Sequence, residues 1–534
     1  MRKILITYLF FVLAVDLFAQ QKLTNYNLGK ENNVTSGDVT QQSNTIEKIL
    51  IHDNVIWLAT SKGLSKSTDN GLSWTNYYNV QEFGTESVSY VGYYNSIVWA
   101  STWHPYDLGG GSSDGEGSGL RYSTNQGQTW KVISQPIDNP GDSSIVYGIN
   151  KIRALPVTTA VQNFIYDIGF TKNTIWIATK AGGLRKANID SLFSNPNYKW
   201  QRVILPPDNL NSIKPTDTLK FSLQPSSGKF GNENYLNHRV FSILTIDDDT
   251  IYVGTAGGIN KSTDGGISWT KFNHTNQTNP ISGNFILSLE KNDFDNSIWA
   301  GTWKAEGQSE YWGVSSSNDG GLNWKTFLSD ERVLDFGFKY FGNPGNYVAA
   351  DVFVATQNGC YRSSNNGSTW IAAPEIIDDN KNVSLNTKHF RSVKVNRNQD
   401  NSYDIWLGTL NGLARLKETA GFWSGNWKVF LASEKLASAS DTYAFPNPFS
   451  PDEESIRIKY STPQAANVTI RIFDFGMNLV KTLIQNSYKN ISSENFEFWN
   501  GRDENEKIVP NGIYFYRIDL GTGTPLYGKI MVIM

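Results

Sequence analysis

Residues 56–74 read IWLATSKGLSKSTDNGLSW, and this stretch contains both patterns from which most of the chain is built. Its first part is a run of β-branched, aromatic and small residues that ends at Thr60. Its second part is a box of the form Ser-x-Asp-x-Gly-x-x-Trp, at Ser67, Asp69, Gly71 and Trp74. The order of strand, Gly-containing turn, strand, box and Trp-initiated strand predicts consecutive β-hairpins.

Both patterns recur along the chain. The box returns four times, starting at Ser123, Ser262, Ser317 and Ser363, with Asn in place of Asp at 125 and 365. The strand-like run ends at Thr60, Thr102, Thr179, Thr255, Thr302, Thr356 and Thr409. Self-similarity at a spacing of tens of residues is the signature of a repeat architecture. Seven runs, each within a unit of four short strands, predict an all-β protein with a seven-bladed β-propeller over residues 22–430.

The box resembles the Asp-box, or BNR repeat, of sialidases, xyloglucan-cleaving glycosidases, sortilin-type receptors and a photosystem assembly factor. The resemblance covers roughly residues 45–430 and implies a β-propeller whose boxes lie on the rim, away from the substrate face. Short polar side chains in such a turn bond the turn's own amides, and Gly supplies a positive φ. We therefore expect a structural role for the box residues Asp69, Asn125, Asp264, Asp319 and Asn365.

Composition narrows the functional classes. Lys and Arg number 47 against 50 for Asp and Glu, so the formal net charge of −3 gives no basic footprint for nucleic acid. The sequence contains no phosphate loop, no nucleophile elbow and no zinc-type Cys pair. We therefore expect no cofactor and no metal. The single thiol, Cys360, follows a turn Gly and is expected to be a buried core residue.

The N-terminus has the pattern of a secretory signal. Arg2 and Lys3 precede an apolar stretch over Ile4–Val15, and Ala19 offers a cleavage site, so residues 1–19 are expected to be a signal peptide. No segment approaches the roughly 20 apolar residues of a transmembrane helix. The expected location is therefore outside the cell or on its outer surface.

A change of composition follows the last repeat. Residues 431–442 are rich in Ala, Ser, Glu and Lys and are expected to be a linker, while residues 443–534 show alternating strand patterns. Phe445-Pro-Asn-Pro-Phe449 and Asn511-Gly-Ile-Tyr514 resemble the small Ig-like sandwich of a flagellar hook-capping protein and the C-terminal sorting domain of type IX secretion. This resemblance implies a second β-sandwich domain, export by a type IX-like route, and the secretion machinery as a partner.

Two strand-joining loops are longer than a tight turn and combine Trp with acids. The candidate ligand-binding residues in the loops of blades 2 and 5 are Trp103, Tyr106, Asp107, Trp303, Glu306, Glu310 and Trp312. Aromatic platforms beside carboxylates are what sugar binding uses, and two flanking acids are what glycosidic cleavage uses. The alternative is that these aromatics pin the loops in place.

Charged residues near the predicted inner strands form a second candidate set. Asp167, Arg239, Asp335 and Arg391 come from four different blades. Alternation of side chains along a strand leaves two placements open: toward a central channel, or in ion pairs between neighbouring blades.

Two classes of function follow from these observations. The first is a secreted or surface-displayed propeller that serves as a binding platform for a polysaccharide or a surface protein. The alternative is a glycoside hydrolase, similar to a xyloglucanase or a sialidase. Sialidases require an Arg cluster and a Tyr–Glu pair that this sequence lacks, and the xyloglucan-cleaving relatives use two propellers where this chain has one. Both points favour the binding platform.

Overall fold

The computed structural model describes residues 40–534 except 196–197, 224–235, 306, 379–382, 386, 420, 433–435, 437, 452–454 and 522, and the backbone of residues 35–38. The side chains of residues 493–494 are likewise left out. The expected signal peptide, the candidate Glu306 and part of the expected linker therefore lie outside the described residues. The chain is 54% strand and 2% helix, which confirms the predicted all-β class.

The first three blades are antiparallel sheets in which the strands of a four-stranded meander are successive neighbours, and β1 adds a fifth strand to blade 1 by pairing with β5. Blade 1 contains β1 (Thr35–Asp38), β2 (Ile46–His52), β3 (Val55–Thr60), β4 (Gly63–Ser67) and β5 (Trp74–Tyr77). Blade 2 contains β6 (Ser87–Tyr94), β7 (Ile97–Gly109), β8 (Ser112–Ser123) and β9 (Lys131–Ile133), and β10 (Ser144–Tyr147) and β11 (Asn150–Ala154) follow it. Blade 3 contains β12 (Ile165–Thr171), β13 (Thr174–Thr179), β14 (Gly183–Asn188), helix α1 (Ile189–Ser194) and β15 (Gln201–Arg202).

The other four blades repeat the arrangement. After β16 (Ser212–Ile213), β17 (Ser222–Leu223) and a 3₁₀ turn (Leu236–His238), blade 4 contains β18 (Val240–Thr245), β19 (Ile251–Thr255), β20 (Gly258–Ser262) and β21 (Trp269–Phe272). Blade 5 contains β22 (Phe285–Lys291), β23 (Ile298–Trp303), β24 (Gly313–Ser317) and β25 (Lys325–Phe327). Blade 6 contains β26 (Val333–Asn343), β27 (Asn346–Thr356), β28 (Cys360–Ser363) and β29 (Ile371–Ala372). After β30 (Ile376–Asp378) and β31 (Val383–Leu385), blade 7 contains β32 (Phe390–Arg397), β33 (Tyr403–Thr409), β34 (Leu413–Glu418) and β35 (Gly425–Phe430).

The innermost strands of these seven sheets form a closed circle. Each first full strand contacts that of the next blade, and β32 of blade 7 contacts β2 of blade 1. All seven innermost strands carry a β-bulge at the same place, directly after their first buried apolar residue. A bulge adds a residue to one strand and increases its local twist, so the seven innermost strands bend alike around a central channel.

The five boxes join neighbouring blades at the outer part of five of the seven seams. Every box Gly has a positive φ, and a Cβ at Gly127 would lie 2.5 Å from the hydroxyl of Tyr77 in blade 1. The same close approach brings Gly266 of blade 4 against Trp176 of blade 3. Gly is therefore favoured for two reasons: the backbone has a positive φ, and the aromatic ring of the neighbouring blade leaves no room for a Cβ.

The two long insertions pack along the outer edges of blades 3 and 4. Strands β10 and β11 form a small sheet with β17, and β16 pairs with β21 as a fifth strand of blade 4. Tyr147 donates a hydrogen bond to the carbonyl oxygen of Ile267 in the blade 4 box, at 2.7 Å. Strand β16 therefore extends blade 4, and Tyr147 of β10 contacts the box of the same blade.

The C-terminal part is a sandwich of two sheets around its own core. Its strands are β36 (Tyr443–Phe445), β37 (Ile456–Thr462), β38 (Ala466–Phe473), β39 (Leu479–Lys489), β40 (Ser492–Trp499), β41 (Gly512–Asp519) and β42 (Leu526–Val532). The sheet orders are β36-β37-β40 and β39-β38-β41-β42, and Trp499 and Tyr460 lie in the core between them. Arg457 of this sandwich is buried and donates to the carbonyl oxygen of Asn411 in blade 7, at 2.9 Å. Within the described residues no helix is long and apolar enough to cross a membrane.

Candidate functional site

The polar side chains of each box form hydrogen bonds within the box itself. In blade 1, Ser67 Oγ donates to Asp69 Oδ1 at 2.9 Å and accepts from the amide of Gly71 at 2.9 Å. Asp69 Oδ1 also accepts from the amide of Ser73 at 2.8 Å. The corresponding bonds recur in the boxes of Asn125, Asp264, Asp319 and Asn365. Since an amide oxygen serves as well as a carboxylate, these bonds require an acceptor and no charge.

The boxes and the candidate loops lie on opposite sides of the circle. In every four-stranded meander the first strand begins on the side where the second strand ends and the third begins. We call this side the entry face, and its innermost positions are Thr45, Ser87, Phe164, Arg239, Phe285, Arg332 and His389. The boxes connect the third strand to the fourth and therefore lie on the other side.

The blade 2 candidate loop is a paired β-hairpin and not an irregular loop. Strands β7 and β8 stay paired beyond the blade after a shift of register between Thr102 and Trp103, with Trp103 opposite Gly117 and Tyr106 opposite Asp114. We call residues 103–118 the arm. Tyr106 is 44% exposed near its tip, and Asp107 is exposed and accepts from the amide of Gly109. The arm therefore presents an aromatic side chain to solvent on a hydrogen-bonded scaffold.

A chain of aromatic contacts connects the arm to the blade 5 loop along the entry face. Its members, which we call the aromatic arc, are Trp103, Phe164, Tyr166, Phe241, Phe285 and Trp303. Successive ring centroids lie 5.1, 4.2, 5.0, 4.4 and 6.2 Å apart. Phe241 at its centre is buried, whereas the two Trp residues at its ends are half-buried. Contacts of this kind fix the arm and the blade 5 loop relative to each other.

The blade 5 loop is organised by Glu310 from within. Its carboxylate accepts hydrogen bonds from the amides of Asn284, Ala305 and Gly307 at 2.8–3.0 Å, and from the Asn284 side chain at 2.9 Å. Glu310 is 7% exposed. The sequence analysis placed Glu310 among the candidate ligand-binding residues. In the structure its carboxylate oxygens accept hydrogen bonds that hold the blade 5 loop together.

The two candidate Trp residues of blade 5 have different environments. Trp303 donates through Nε1 to the carbonyl oxygen of Val333 in blade 6, at 2.7 Å. Trp312 stacks on the guanidinium of Arg332, whose central carbon lies 4.5 Å from the ring centroid. Trp303 is therefore also a link between blades, while Trp312 contacts an exposed side chain of the entry face.

Acidic residues of the arm are engaged with their neighbours. The two ring nitrogens of His104 lie 3.2 Å from Glu86 Oε2 and 3.2 Å from Glu116 Oε2. Asp114 accepts from the side chain of Gln162 at 2.6 Å. Ser118 donates to Glu86 at 2.7 Å. In the part of the chain that the structure describes, these arm carboxylates serve the scaffold.

Charges from several blades meet inside the central channel. Lys48 of blade 1 lies 2.8 Å from Asp335 of blade 6 and 3.9 Å from Glu290 of blade 5. Lys394 of blade 7 lies 2.9 Å from Glu290 and 3.6 Å from Asp335. Asp167 accepts from the amides of Ile168 and Ile243, at 2.7 and 2.8 Å. We call Lys48, Tyr90, Asp167, Glu290, Asp335 and Lys394 the channel network.

The network sets the protonation of its members. Burial raises the pKa of Asp167 to about 7. Burial also opposes ionisation of Asp335, but the ammonium groups of Lys394 and Lys48 hold its pKa below the usual range. Burial likewise opposes the charge on Lys48, yet Asp335 and Glu290 raise its pKa. Two ammonium groups thus balance Asp335 and Glu290, and Asp167 is the carboxyl that remains partly protonated near neutral pH.

The structure divides the four predicted channel charges between both placements. Asp335 and Asp167 lie in the channel network, whereas Arg391 pairs with Glu47 of the adjacent blade 1. Arg239 lies on the entry face, directly before β18. Lys48, Glu290 and Lys394 were not among the sequence candidates. Each innermost strand has two buried apolar residues at spacing i, i+3, such as Ile46 and Ile49. This spacing indicates a bulge between the two residues, and it could have shown that Lys48, between them, faces the channel.

Comparisons with known proteins address the fold. No protein-family model matches the sequence, and no curated protein matches it. An ancestral GH74 enzyme is similar in structure, with 15% identity, a TM-score of 0.50, and coverage of 93% of this chain and 64% of that chain. A GH74 enzyme of Niastella koreensis is similar with 13% identity, a TM-score of 0.48, and coverage of 94% and 75%.

A third similar structure is PorZ of Porphyromonas gingivalis, described as a bacterial surface component of the type-IX secretion system. It has 14% identity and a TM-score of 0.37, with coverage of 90% of this chain and 64% of that chain. The ancestral GH74 enzyme is a β-propeller protein, so the predicted propeller fold is confirmed. The chain spans about two thirds of the length of PorZ and of the ancestral GH74 enzyme.

Proposed function

We propose that this protein is an exported β-propeller that binds polysaccharide at its entry face. The observation that carries the proposal is the aromatic arc, which links the exposed arm of blade 2 to the loop of blade 5. Aromatic rings present flat apolar faces at low entropic cost, and pyranose rings are flat apolar faces edged by hydroxyls. A pre-formed arrangement also loses less freedom on binding than mobile loops do.

Export rests on the two ends of the chain. The signal-like residues 1–19 direct the chain across the inner membrane, and the sandwich of residues 443–534 serves as a type IX-like sorting domain. In the sandwich, Asn447 of the Pro-Asn-Pro segment accepts from the amide of Met531 at 2.8 Å and donates to the carbonyl oxygen of Lys529 at 2.9 Å. The segment that opens the domain thus holds its last strand, β42, which keeps the C-terminal edge in a defined shape.

Binding is favoured over hydrolysis by the use made of the acids. Glycosidic cleavage requires two carboxyl groups that face each other across a groove at roughly 5–10 Å. Glu116 of the arm and Glu310 of the blade 5 loop are engaged in the scaffold, as is Glu86 beside the arm. The proposal therefore assigns this face a binding role.

A polysaccharide array probed with the secreted chain, lacking only residues 1–19, tests the proposal. We expect binding by the wild type and loss of binding in Tyr106→Ala and Trp312→Ala. Phe475→Ala, which removes a 76% exposed ring from the sandwich, is the matched control and should bind normally. Release of reducing ends during the assay would instead support the hydrolase alternative, and binding unaffected by both entry-face variants would refute the proposed site.

A further inference from the structure

Arg332 differs from the other charged residues of the entry face because its guanidinium is exposed and stacked. The central carbon lies 4.5 Å from the centroid of Trp312 and 5.7 Å from that of Trp303. Its Nη1 donates to the side chain of Gln357 at 3.1 Å. We call Trp303, Arg332 and Trp312 the Trp–Arg–Trp clamp.

The neighbouring carboxylate does not neutralise the clamp. Glu331 accepts hydrogen bonds from Thr356 Oγ1 and Tyr361 Oη, each at 2.8 Å, and is thereby turned toward blade 6. In the described part of the chain Arg332 forms no ion pair, whereas Arg185 and Arg362 are buried against carboxylates. The guanidinium of Arg332 therefore has N–H groups that are not taken up by a described carboxylate.

Stacking prepares these N–H groups for an oxyanion. A guanidinium over an indole ring is attracted by the negative face of the ring, which restricts its position. Its remaining N–H groups form a fork that matches a carboxylate or a sulfate with two parallel hydrogen bonds. A lysine ammonium in the same place would offer a point charge without this geometry.

The innermost positions of the entry face support the same polarity. The seven innermost positions of the entry face include two arginines, at 239 and 332, and no acid. Glu86, directly before the innermost position Ser87, lies 3.2 Å from His104. Two residues after the innermost position Thr45, the carboxylate of Glu47 is paired with Arg391. An anionic group that approaches the aromatic arc at its blade 5 end therefore meets a positive, aromatic surface.

We propose that the Trp–Arg–Trp clamp binds the oxyanion substituent of an acidic polysaccharide, with the aromatic rings contacting the sugar that carries it. This inference rests on the proposed polysaccharide-binding function and adds the ligand class. Carboxylate and sulfate share the required chemistry, namely two oxygens of a delocalised anion. Uronate-containing and sulfated chains are therefore the two sources to be distinguished.

The test compares matched pairs of polymers by calorimetry with the secreted chain. Polygalacturonate is compared with its methyl ester, and dextran sulfate with dextran. We expect at least one charged polymer to bind more tightly than its neutral partner, and the charged member that binds identifies the anion. Arg332→Gln should weaken that binding roughly 10- to 100-fold, as loss of a charge-assisted bidentate contact does.

Two further variants separate geometry from net charge. Arg332→Lys keeps the charge and loses the fork, so it should retain only part of the affinity. Lys388→Gln removes an exposed positive charge before blade 7 and should change little. Equal losses in Lys388→Gln and Arg332→Gln would overturn the clamp as a specific site. Binding of neutral polymers alone would overturn the inference and leave the proposed function standing, whereas binding of no polymer would overturn both.

Discussion

The ammonium of Lys48 lies 2.8 Å from the carboxylate of Asp335, and this ion pair joins blades 1 and 6 although blade 7 lies between them on the circle. Asp335 is fully buried and also accepts from Ser392 of blade 7 at 2.7 Å. One carboxylate of blade 6 therefore contacts side chains of both blade 7 and blade 1, the two blades between which the circle closes. Such a pair is costly to break from one side, because the remaining charge is left unpaired in the channel.

The channel network predicts a pH dependence of stability centred on Asp167. The folded protein keeps a proton on this residue up to about pH 7, whereas the unfolded chain releases it near the ordinary value of 3.8. The folded state therefore binds more protons between these limits, and the contribution of Asp167 to the unfolding free energy falls as pH rises through them. In Asp167→Asn this fall is absent.

Thermal unfolding of the wild type and Asp167→Asn at several pH values measures the effect. The melting temperature of the variant relative to the wild type should increase from about pH 4 to about pH 7 and level off above. Asp107→Asn, on the exposed arm, controls for the loss of a carboxyl group in general. A constant offset between wild type and Asp167→Asn across this range would contradict the assignment.

The box glycines predict a matched pair of variants in blade 4. Gly265 and Gly266 both have positive φ, but a Cβ at Gly266 would lie 2.5 Å from the ring of Trp176, while one at Gly265 has no contact closer than 3.7 Å. Gly266→Ala should therefore be less stable than Gly265→Ala by roughly 1–3 kcal/mol, the usual cost of overpacking. Chemical denaturation of both variants measures the difference, and equal losses would show that the close approach at the seam carries no energy.

Replacing each of the two Trp residues of blade 5 by Ala should have different effects on stability and on polysaccharide binding. Trp303 donates to Val333 of blade 6 and packs against Phe285, so Trp303→Ala should lower the melting temperature. Trp312→Ala removes a ring that stacks on an exposed guanidinium, so stability should change little while polysaccharide affinity falls by about 1–3 kcal/mol. Calorimetry and thermal unfolding on both variants check this, and the reverse pattern would identify Trp312 as the structural ring.

Export should depend on both ends of the chain. Deletion of Met1–Ala19 should leave the protein in the cytoplasm, and deletion of residues 443–534 should leave a folded propeller in the periplasm. Cell fractionation with an antibody against the propeller distinguishes these locations. The second deletion removes Arg457, which contacts Asn411, so circular dichroism of the truncated chain is the required control for folding. Normal surface display of the truncated protein would limit the sandwich to a structural role.

The repeats made the sheets predictable, because each strand, turn and box is decided by residues close together in the sequence. The strand-like runs predicted to end at Thr60 and Thr255, for example, are the observed strands β3 and β19, which end at those residues. The box bonds were predictable for the same reason: Ser67, Asp69 and Gly71 lie within five residues. The blade 2 arm was less so, since its glycines at 109–111 indicate a turn but not that the flanking residues pair.

The channel network could not be predicted from the alternation of side chains along the strands alone. The bulge in every innermost strand interrupts the period of two, so a residue assigned to one side by alternation lies on the other. Lys48 and Asp335 are 287 residues apart, and only the closed circle brings them together. The i, i+3 spacing of Val333 and Phe336 records the bulge and, once recognised, places Asp335 in the channel.

Hydrogen–deuterium exchange of the secreted chain, with and without the tightest-binding polysaccharide from the array, tests the central claim that the entry face binds this ligand. We predict slower exchange on binding in peptides covering the arm at residues 103–118 and the blade 5 loop at residues 303–313. Exchange should be unchanged in the boxes and in residues 443–534. Protection confined to the sandwich or to strands β10 and β11, with none at the arm or the blade 5 loop, would contradict the claim.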